Sequence, residues 1–591
     1  MAFDGFTLKA VVQELQPHLT GGKITKIYEP TSNEIVLGIY CNGKNYALVC
    51  NTSFSFYSLH LTTNSKPNPL VAPSFCMLLR KYLIGFKIKS ISMIGLERIA
   101  TIELEGYNEL NDLITLKLII ELMGKHSNII LVNQNNIIID SLKHLNSLSG
   151  SYRTILPGSK YTYPDLNKSD ITNCSFNNFI PNNEKNSNSL LSYFMEYFAG
   201  TSKTLLEYSI SKLGITNNLT DENHQKLLAY LQELIHQIEL LQAECVHFEN
   251  DYTISTCEEN IPNGNIENNA PLSLKVNFFL DDYYFKKEQI EEFTQYRNNL
   301  LNFIAKKVKK ISKKLDGVNE KIQECSRMED YKLYGELLTS NLYRIDEYHT
   351  DHIVLENYYE RNKPITIPLD ITLSPSDNAK KYFKKYHKLK NTIDLVTVQK
   401  TEFEKEVNYL ESIVYELQIA KTIKDLDHIY QEIDESNLLS RKTQTKQGSK
   451  AFNIKRKWFQ DSKKVKLKDN KIQNNFLSYM IDGFTILVGR NNKENDYLTM
   501  KIAKENDIWF HVKDIQGSHV ILVVNQKEPS QEIINKVATI SAYYSKANQS
   551  SNVPVDYTFA KYVKKPSKSK PGMVIYTNQK TVNVQPKLHF I

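Results

Sequence analysis

Two heptad seams, separated by a stretch that cannot be helical, constrain this chain more than any other feature. Leu301, Ile304, Val308, Ile311, Leu315, Val318, Ile322 and Cys325 recur at alternating intervals of three and four residues, the spacing that keeps one apolar stripe facing a partner helix. Tyr382, Tyr386, Leu389, Ile393, Val396, Phe403, Val407, Leu410, Val414 and Leu417 repeat the alternation, with Lys400 in the one charged slot. Between them, residues 353–375 are rich in β-branched side chains and carry three prolines, which predicts a small strand-bearing tip. The seams predict a long antiparallel coiled-coil arm over residues 285–437, with the tip at 351–375. Each limb of about 50 residues would span roughly 75 Å at 1.5 Å per residue.

Globular bodies are expected on both sides of the arm. Residues 1–166 read as an α/β domain: an amphipathic helix over 6–19, strands at 23–30, 34–40 and 46–50, and a helix over 73–83. The second and third strands meet at Asn42-Gly43, a dipeptide that accepts the positive φ angles of a tight turn. Residues 167–188 are Asn/Ser-rich and read as a linker. Over residues 189–270 the pattern becomes helical, with a Thr201/Ser202 cap and Gly214 near a helix end. Two short helices around a glycine-containing turn fit either a packing domain or a helix-hairpin-helix module whose amides meet a phosphate. A polar linker at 438–450 precedes an α+β domain over 451–591. The expected class is multidomain α+β.

Composition narrows the functional classes. The 591 residues carry a net charge of +7, and clustering of the basic residues matters more than the total for a polyanionic partner. Seven cysteines without a CxxC pair argue against a disulfide framework or a zinc site and fit a reducing cytoplasm. The first residues lack the basic head and apolar run of an export signal, and no window approaches a membrane span. No cofactor or metal is expected.

Three constellations suggest chemistry. Both tryptophans, Trp458 and Trp509, lie in the carboxy-terminal region among Lys455, Arg456, Lys513, Lys561, Lys564 and Lys565. Aromatic faces stack on unpaired bases while lysines neutralise phosphate, so the mixture suits RNA, the alternative being a solvated basic surface over buried tryptophans. Alternation puts Trp509, His511 and Lys513 on one strand face, and His519, after Gly517-Ser518, reads as fixing a turn. The eight-residue spacing of the two histidines matches no common metal pair. Glu97-Arg98, between two strands, reads on its residues alone as a surface ion pair.

Several long segments together resemble the NFACT family: AFDGFTL at the start, SFCMLLRKYLIG, ELMGKHSNIILV, the arm segments YKLYGELLTSNLY and NAKKYFKKYHKLK, and DIWFHVKDIQGSHVIL with KPGMVIYTN near the end. The resemblance follows the family's domain order along nearly the whole chain. It implies a factor of ribosome-associated quality control that binds a large ribosomal subunit still holding peptidyl-tRNA and brings in tRNA without mRNA. In bacteria the implied product is a carboxy-terminal alanine tail. The implied partners are the large subunit and its rRNA, alanine-accepting tRNA and a small RNA-binding helper protein.

The resemblance also assigns residues. The family's Asp-Arg pair for tRNA engagement aligns with Glu97 and Arg98, the acid here being one methylene longer. Its acidic-aliphatic-Met motif falls on Glu121, Leu122 and Met123, followed by the Gly124-Lys125-His126 turn, so these residues with Lys125 and His126 are the expected tRNA-binding set. The expected ribosome-facing set is Lys455, Arg456, Trp458, Trp509, His511, Lys513, Ser518, His519, Lys564 and Lys565. The amino-terminal domain is similar in fold to formamidopyrimidine-DNA glycosylase. That enzyme needs an amino-terminal proline nucleophile followed by glutamate, where this chain has Ala2-Phe3. The expected protein is therefore not an enzyme; peptidyl transfer falls to the ribosome. The rival readings are a glycosylase-like nucleic-acid enzyme and a surface adhesin for fibronectin.

Overall fold

The structure, a computed structural model, describes residues 3–146, 153–164, 168–174, 189–256, 274–345, 350–436, 438, 476–524, 528–567 and 569–588. The chain forms two compact units, Met1–Ile290 and Glu291–Ile591.

In the first unit, α1 (Gly5–Leu19) begins where the Asp4 carboxylate accepts the Thr7 amide proton at 2.8 Å, the side-chain cap that helix starts favour. Nine strands follow around α2 (Ser74–Leu83): β1 (Lys23–Thr31), β2 (Glu34–Cys41), β3 (Lys44–Asn51), β4 (Ser58–Leu61), β5 (Lys87–Met93), β6 (Ile99–Tyr107), β7 (Leu113–Glu121), β8 (Asn128–Asn133) and β9 (Ile138–Ser141). They form one sheet in the order β4-β3-β2-β1-β5-β6-β7-β8-β9, with every pairing antiparallel. The α/β reading of residues 1–166 is corrected to α+β: hairpins such as Asn42-Gly43, at φ +49° and +78°, join neighbouring strands directly, and α2 lies on the one connection, β4 to β5, that passes over other strands of this all-antiparallel sheet.

The helical segment adds α3 (Leu190–Tyr197), α4 (Lys203–Leu213), α5 (Asp221–Glu239) and the hairpin of β10 (Ala243–Phe248) with β11 (Asp251–Thr256). Its apolar residues Phe194, Leu231 and Tyr252 share one continuous core with Leu15, Leu59 and Leu104 of the sheet body. The first turns of α6 (Lys275–Cys325) join this core through Val276 and Leu280. Glu14 accepts the Val276 and Asn277 amide protons, both at 2.9 Å, so a buried carboxylate caps a helix whose first-turn N–H groups have no internal partner.

The turn between α3 and α4 departs from the phosphate-binding expectation. Gly5 N–H donates to Gly200 C=O at 2.9 Å, and Ser202 Oγ donates to Asp4 Oδ2 at 2.7 Å. The turn is packed on the start of α1, and a carboxylate stands against the first turn of α4. Repulsion and burial both oppose a phosphate there.

In the second unit, the later turns of α6 lead to α7 (Met328–Ser340), a hairpin of β12 (His352–Asn357) with β13 (Lys363–Pro368), α8 (Pro375–Ile419) and α9 (Ile423–Glu435). Ser374 caps α8 and Pro375 occupies its first turn, the placement a proline tolerates. Helices α6 and α8 pair antiparallel: Cys325 Sγ lies 3.8 Å from Leu389 O, Lys314 Nζ sits 5.4 Å from the Phe403 ring centre, and Leu300 and Ile304 pack with Leu410 and Leu417. Every residue of both expected seams is buried or half-buried.

The carboxy-terminal sheet contains β14 (Leu477–Ile481), β15 (Phe484–Val488), β16 (Ile508–Val512), β17 (Val520–Val523), β18 (Val553–Phe559) and, after the short ribbon of β19 (Val563–Lys564) with β20 (Ile575–Tyr576), β21 (Lys580–Val584). Its order is β14-β15-β17-β16-β18-β21. Helix α10 (Asn492–Tyr497) runs into a π-helical turn, Leu498–Ile502, before β16, and α11 (Gln531–Tyr543) precedes β18. Both sheet faces are covered. Phe510 and Val512 pack with α11 residues Val537 and Ile540, whereas Trp509 and Ile521 pack beneath Leu498 and Val563.

This second cover corrects the base-stacking expectation for Trp509, which is 0% exposed. Its ring stacks on His511 at 5.7 Å and meets His519 edge-on at 5.2 Å and Tyr576 at 4.8 Å. Ser518 and His519 are buried as well, and Thr499 Oγ1 shares a hydrogen bond with His519 Nδ1 at 2.8 Å. Burial lowers His511 to about 4 and, with the neighbouring His511 charge, His519 to about 3. Both rings are neutral near pH 7 and belong to an aromatic core.

A polar knot fastens this sheet domain to α8 and α9. Asn492 Nδ2 donates to Ser412 Oγ at 3.0 Å and to Glu432 Oε1 at 3.1 Å, while its amide donates to Glu416. Tyr409 Oη donates to Glu432 at 2.9 Å. Both glutamates are buried. Burial, then Glu432 and Glu494, push Glu416 well up; burial pushes Glu432 up to about 7, with Asp496 adding to the rise and Asn492, Tyr409 and Lys493 opposing it.

The folded Glu432 thus keeps its proton through a range in which an ordinary glutamate, near 4.5, has lost it. The folded state binds more protons, so this group's contribution to stability falls as pH rises from about 4.5 to about 7. Thermal unfolding of the wild type should lose midpoint temperature across that window, and Glu432→Gln should flatten the dependence; equal slopes would show that the proton is not held there. Trp509→Ala should cost about 3–5 kcal/mol by opening a cavity, read as a lower denaturation midpoint. A stable variant that only binds RNA less well would restore the stacking role.

Candidate nucleic-acid interface

The ends of β5, β6 and β7 bring the amino-terminal motif residues together. Ile99 pairs with Glu121 across β6 and β7, and the Arg98 carbonyl accepts the Leu122 amide proton at 2.8 Å. The dipeptide at 97–98 and the segment 121–126 therefore form one rim. Their side chains divide sharply between support and surface.

Glu121 is 1% exposed and its acceptor sites are occupied. Arg153 donates to it through Nη2 at 2.8 Å and Nη1 at 3.3 Å, and Tyr161 Oη at 2.8 Å, a bidentate arrangement that leaves little for a ligand. Leu122 is fully buried in the main core, and Met123 packs against a smaller cluster with Ile99 and Tyr161. The expected direct contact of Glu121 and Leu122 with tRNA is corrected: these side chains brace the rim from below. Lys125 and His126 are exposed on the 3-10 turn Gly124–His126, where Gly124 takes φ +61°.

Glu97 and Arg98 are both half-buried, and neither forms an ion pair with the other or with another described residue. Arg98 Nη1 instead donates to Tyr57 Oη at 3.3 Å, with the guanidinium carbon 5.9 Å from that ring's centre. Burial raises Glu97, against the opposing pull of Arg98 and Lys168. Burial likewise raises Asp4, whose carboxylate feels Arg98. The surface ion-pair reading fails because the guanidinium turns towards a phenol. A cation so held keeps its charge and most of its five N–H donors for phosphate or a base edge.

Tyr57 and Arg153 are absent from the sequence-derived set. Tyr57 is 41 positions from Arg98, and the strands they precede, β4 and β6, stand five places apart in the sheet order, so the two meet only in the tertiary fold; no local pattern signals it. Lys143 belongs to the same support, donating to Thr52 O at 2.8 Å and Ser127 O at 2.9 Å.

In the carboxy-terminal domain, Lys513 and Lys564 are exposed, and Lys565 pairs with Asp496. Lys561 lies 5.4 and 5.2 Å from the Phe559 and Tyr562 ring centres, with Phe559 46% exposed. Among the described residues this exposed aromatic offers a stacking face beside the lysines, which the buried Trp509 does not. Lys455, Arg456 and Trp458 lie outside the described residues. Among the described residues no cluster of three or more His, Cys, Asp or Glu is arranged to hold a metal ion, and no helix is long and apolar enough to cross a membrane.

Comparison with known proteins fits this arrangement. Residues 4–451 match the NFACT N-terminal and middle domains, and residues 475–578 match the NFACT protein RNA binding domain. The chain is 34% identical to the Rqc2 homolog RqcH of Bacillus subtilis, covering 99% of this chain and 98% of that one. It is also 34% identical to the Rqc2 homolog RqcH of Streptococcus suis, with the same coverage. A solved amino-terminal part of a fibronectin/fibrinogen-binding protein from Streptococcus suis is 30% identical, covering 48% of this chain and 100% of that one, at a TM-score of 0.38. With both family matches in their expected order and relatives aligned end to end, the chain belongs to the NFACT family.

Proposed function

We propose that this protein is a ribosome-associated quality-control factor. It binds stalled large ribosomal subunits that carry peptidyl-tRNA and recruits alanine-accepting tRNA for mRNA-independent extension of the nascent chain at its carboxy terminus. The observation that carries this reading is end-to-end similarity to the Rqc2 homolog RqcH proteins at 34% identity. In this reading the ribosome performs peptidyl transfer in the cytoplasm, and the protein supplies position.

The parts divide the work by their chemistry. The rim of Arg98, Lys125 and His126 engages tRNA, with Glu97 orienting a donor or accepting from a base or ribose and Glu121, Leu122 and Met123 holding the rim's shape. Lys513, Lys564 and the Phe559-Lys561 pair face rRNA, together with Lys455, Arg456 and Trp458 of the segment before β14. We read residues 1–166 as a glycosylase-like domain, 189–270 as a helix-hairpin-helix-like module that serves packing, 285–437 as a coiled-coil arm with its tip at 351–375, and 451–591 as the RNA-binding domain, with linkers at 167–188 and 438–450. Several weak sites on one chain raise the effective concentration of each later contact. A small RNA-binding helper protein fits the same assembly.

Arg98→Ala should abolish tRNA copurification and tail synthesis while leaving cosedimentation with large subunits largely intact, and Glu97→Asp should be tolerated. Normal tailing by the Arg98→Ala protein would remove this rim from the mechanism. For the carboxy-terminal surface, Lys561→Glu with Lys564→Glu should weaken large-subunit binding and reduce the dependence of affinity on salt by about one counterion for each phosphate no longer neutralised. An unchanged slope would mark these lysines as merely solvated.

A further inference from the structure

The Arg98 guanidinium is oriented by a neutral partner. Its Nη1 donates to the Tyr57 hydroxyl at 3.3 Å, no carboxylate of a described residue lies within ion-pair distance, and Tyr57 itself is only 4% exposed. The tyrosine is held from several sides. Its ring meets Phe3 edge-on at 6.4 Å. Asn51 and Ser58 pair across β3 and β4 and close the loop that carries it. Lys143 ties that loop, through Thr52 O, to Ser127 O at the end of the Gly124–His126 turn. A Cβ on Gly124 would stand 3.9 Å from Tyr57 Cε1, so the tyrosine lies in contact range of the turn that presents Lys125 and His126.

We propose that Tyr57 is a positioning residue for tRNA engagement: its hydroxyl fixes the Arg98 guanidinium at the rim formed with the Gly124–His126 turn, ready for a phosphate or base edge of tRNA. The inference rests on the tRNA-binding reading of Arg98 and adds what sets its geometry. A carboxylate in the place of the phenol would orient the guanidinium equally well but would neutralise it against a polyanion. The phenol orients without cancelling charge, and occupies one donor of five. An untethered arginine must surrender rotamer freedom when it binds, and a tether settles that cost in the free protein.

The test uses the full-length protein with deacylated alanine-accepting tRNA as probe, comparing wild type, Tyr57→Phe, Arg98→Ala and the double variant. Phenylalanine keeps the ring packed on Phe3 and removes only the hydroxyl. Tyr57→Phe should weaken tRNA binding about three- to tenfold, the range expected for one released long side chain, with melting temperature and large-subunit cosedimentation unchanged. Its salt slope should match wild type, because the guanidinium remains, whereas Arg98→Ala should lower that slope by about one if the contact is to phosphate. The double variant should bind no worse than Arg98→Ala, since the hydroxyl acts only through the guanidinium.

Normal binding by Tyr57→Phe alongside weak binding by Arg98→Ala would overturn the positioning role and leave the tRNA-binding reading of Arg98 standing. A double variant whose loss is the product of the two single losses would overturn it too, because the residues would then act independently. So would parallel losses of melting temperature and subunit binding in Tyr57→Phe, which would mark the hydroxyl as part of the core. Normal tRNA binding by Arg98→Ala would overturn both readings together.

Discussion

The first unit depends on a junction where three backbone segments approach too closely for any side chain. A Cβ on Gly5 would stand 1.9 Å from the Leu96 carbonyl oxygen and 2.6 Å from Gly200 Cα, and one on Gly200 would stand 2.5 Å from the same oxygen. Distances below about 3 Å mean overlap, so the start of α1, the loop that leads to Glu97-Arg98 and the α3–α4 turn can meet only through glycine. Asp4 locks the meeting by accepting from Thr7 and Ser202. The candidate tRNA rim is therefore anchored to the helical segment through its own backbone. This gives that segment a mechanical part in the site without requiring it to touch RNA.

Charge is managed differently at the interior joints and at the candidate rim. Glu14, Glu121, Glu416 and Glu432 are buried carboxylates, and each accepts hydrogen bonds that tie together segments distant in sequence: Glu14 to the start of α6, Glu121 to Arg153 and Tyr161, Glu416 and Glu432 to Asn492. Leaving such a group unpaired would cost several kcal/mol, so these joints tolerate little rearrangement. At the rim, Arg98 rests on a phenol and Lys143 on carbonyl oxygens, so neither forms an ion pair with a carboxylate of a described residue, although Glu97 and Asp4 stand close enough to feel Arg98. On the proposed tRNA-binding reading, the absence of an ion pair at Arg98 favours a polyanion, because a paired carboxylate would compete with phosphate.

Much of this was legible in the sequence, and for definite reasons. The arm's seams are a one-dimensional signal, and alternation by three and four places every named residue from Leu301 to Cys325 on the inner face whatever the partner. Asn42-Gly43 announces a hairpin because few other residues tolerate positive φ, and the turn adopts it. The motifs at residues 2–8, 74–85 and 121–132, together with those of the later segments, carry the family resemblance. The carboxy-terminal α+β class follows from strand alternation and one amphipathic helix.

What sequence alone could not decide is which side of each element faces solvent once a second layer is added. Alternation placed Trp509, His511 and Lys513 on one face; the two rings share it, while Lys513 lies in the exposed turn past the end of β16. Only the fold laid α10, its π-helical turn and the ribbon of β19 and β20 across that face, turning a candidate stacking platform into core. Glu121 and Leu122 carry the motif but point inward, because the β6–β7 register sets Glu121 opposite Ile99 and closes it under Arg153. Tyr57 is invisible in the sequence because neither spacing nor strand order brings it to Arg98: β4 and β6 stand five places apart in the sheet, and the residues meet only in the tertiary fold. Sequence by itself determined periodicity, turn chemistry and family, which are local or cumulative properties. Tertiary structure decided burial, hydrogen-bond partners and the state of each charged group, which depend on residues that meet only after the chain has folded.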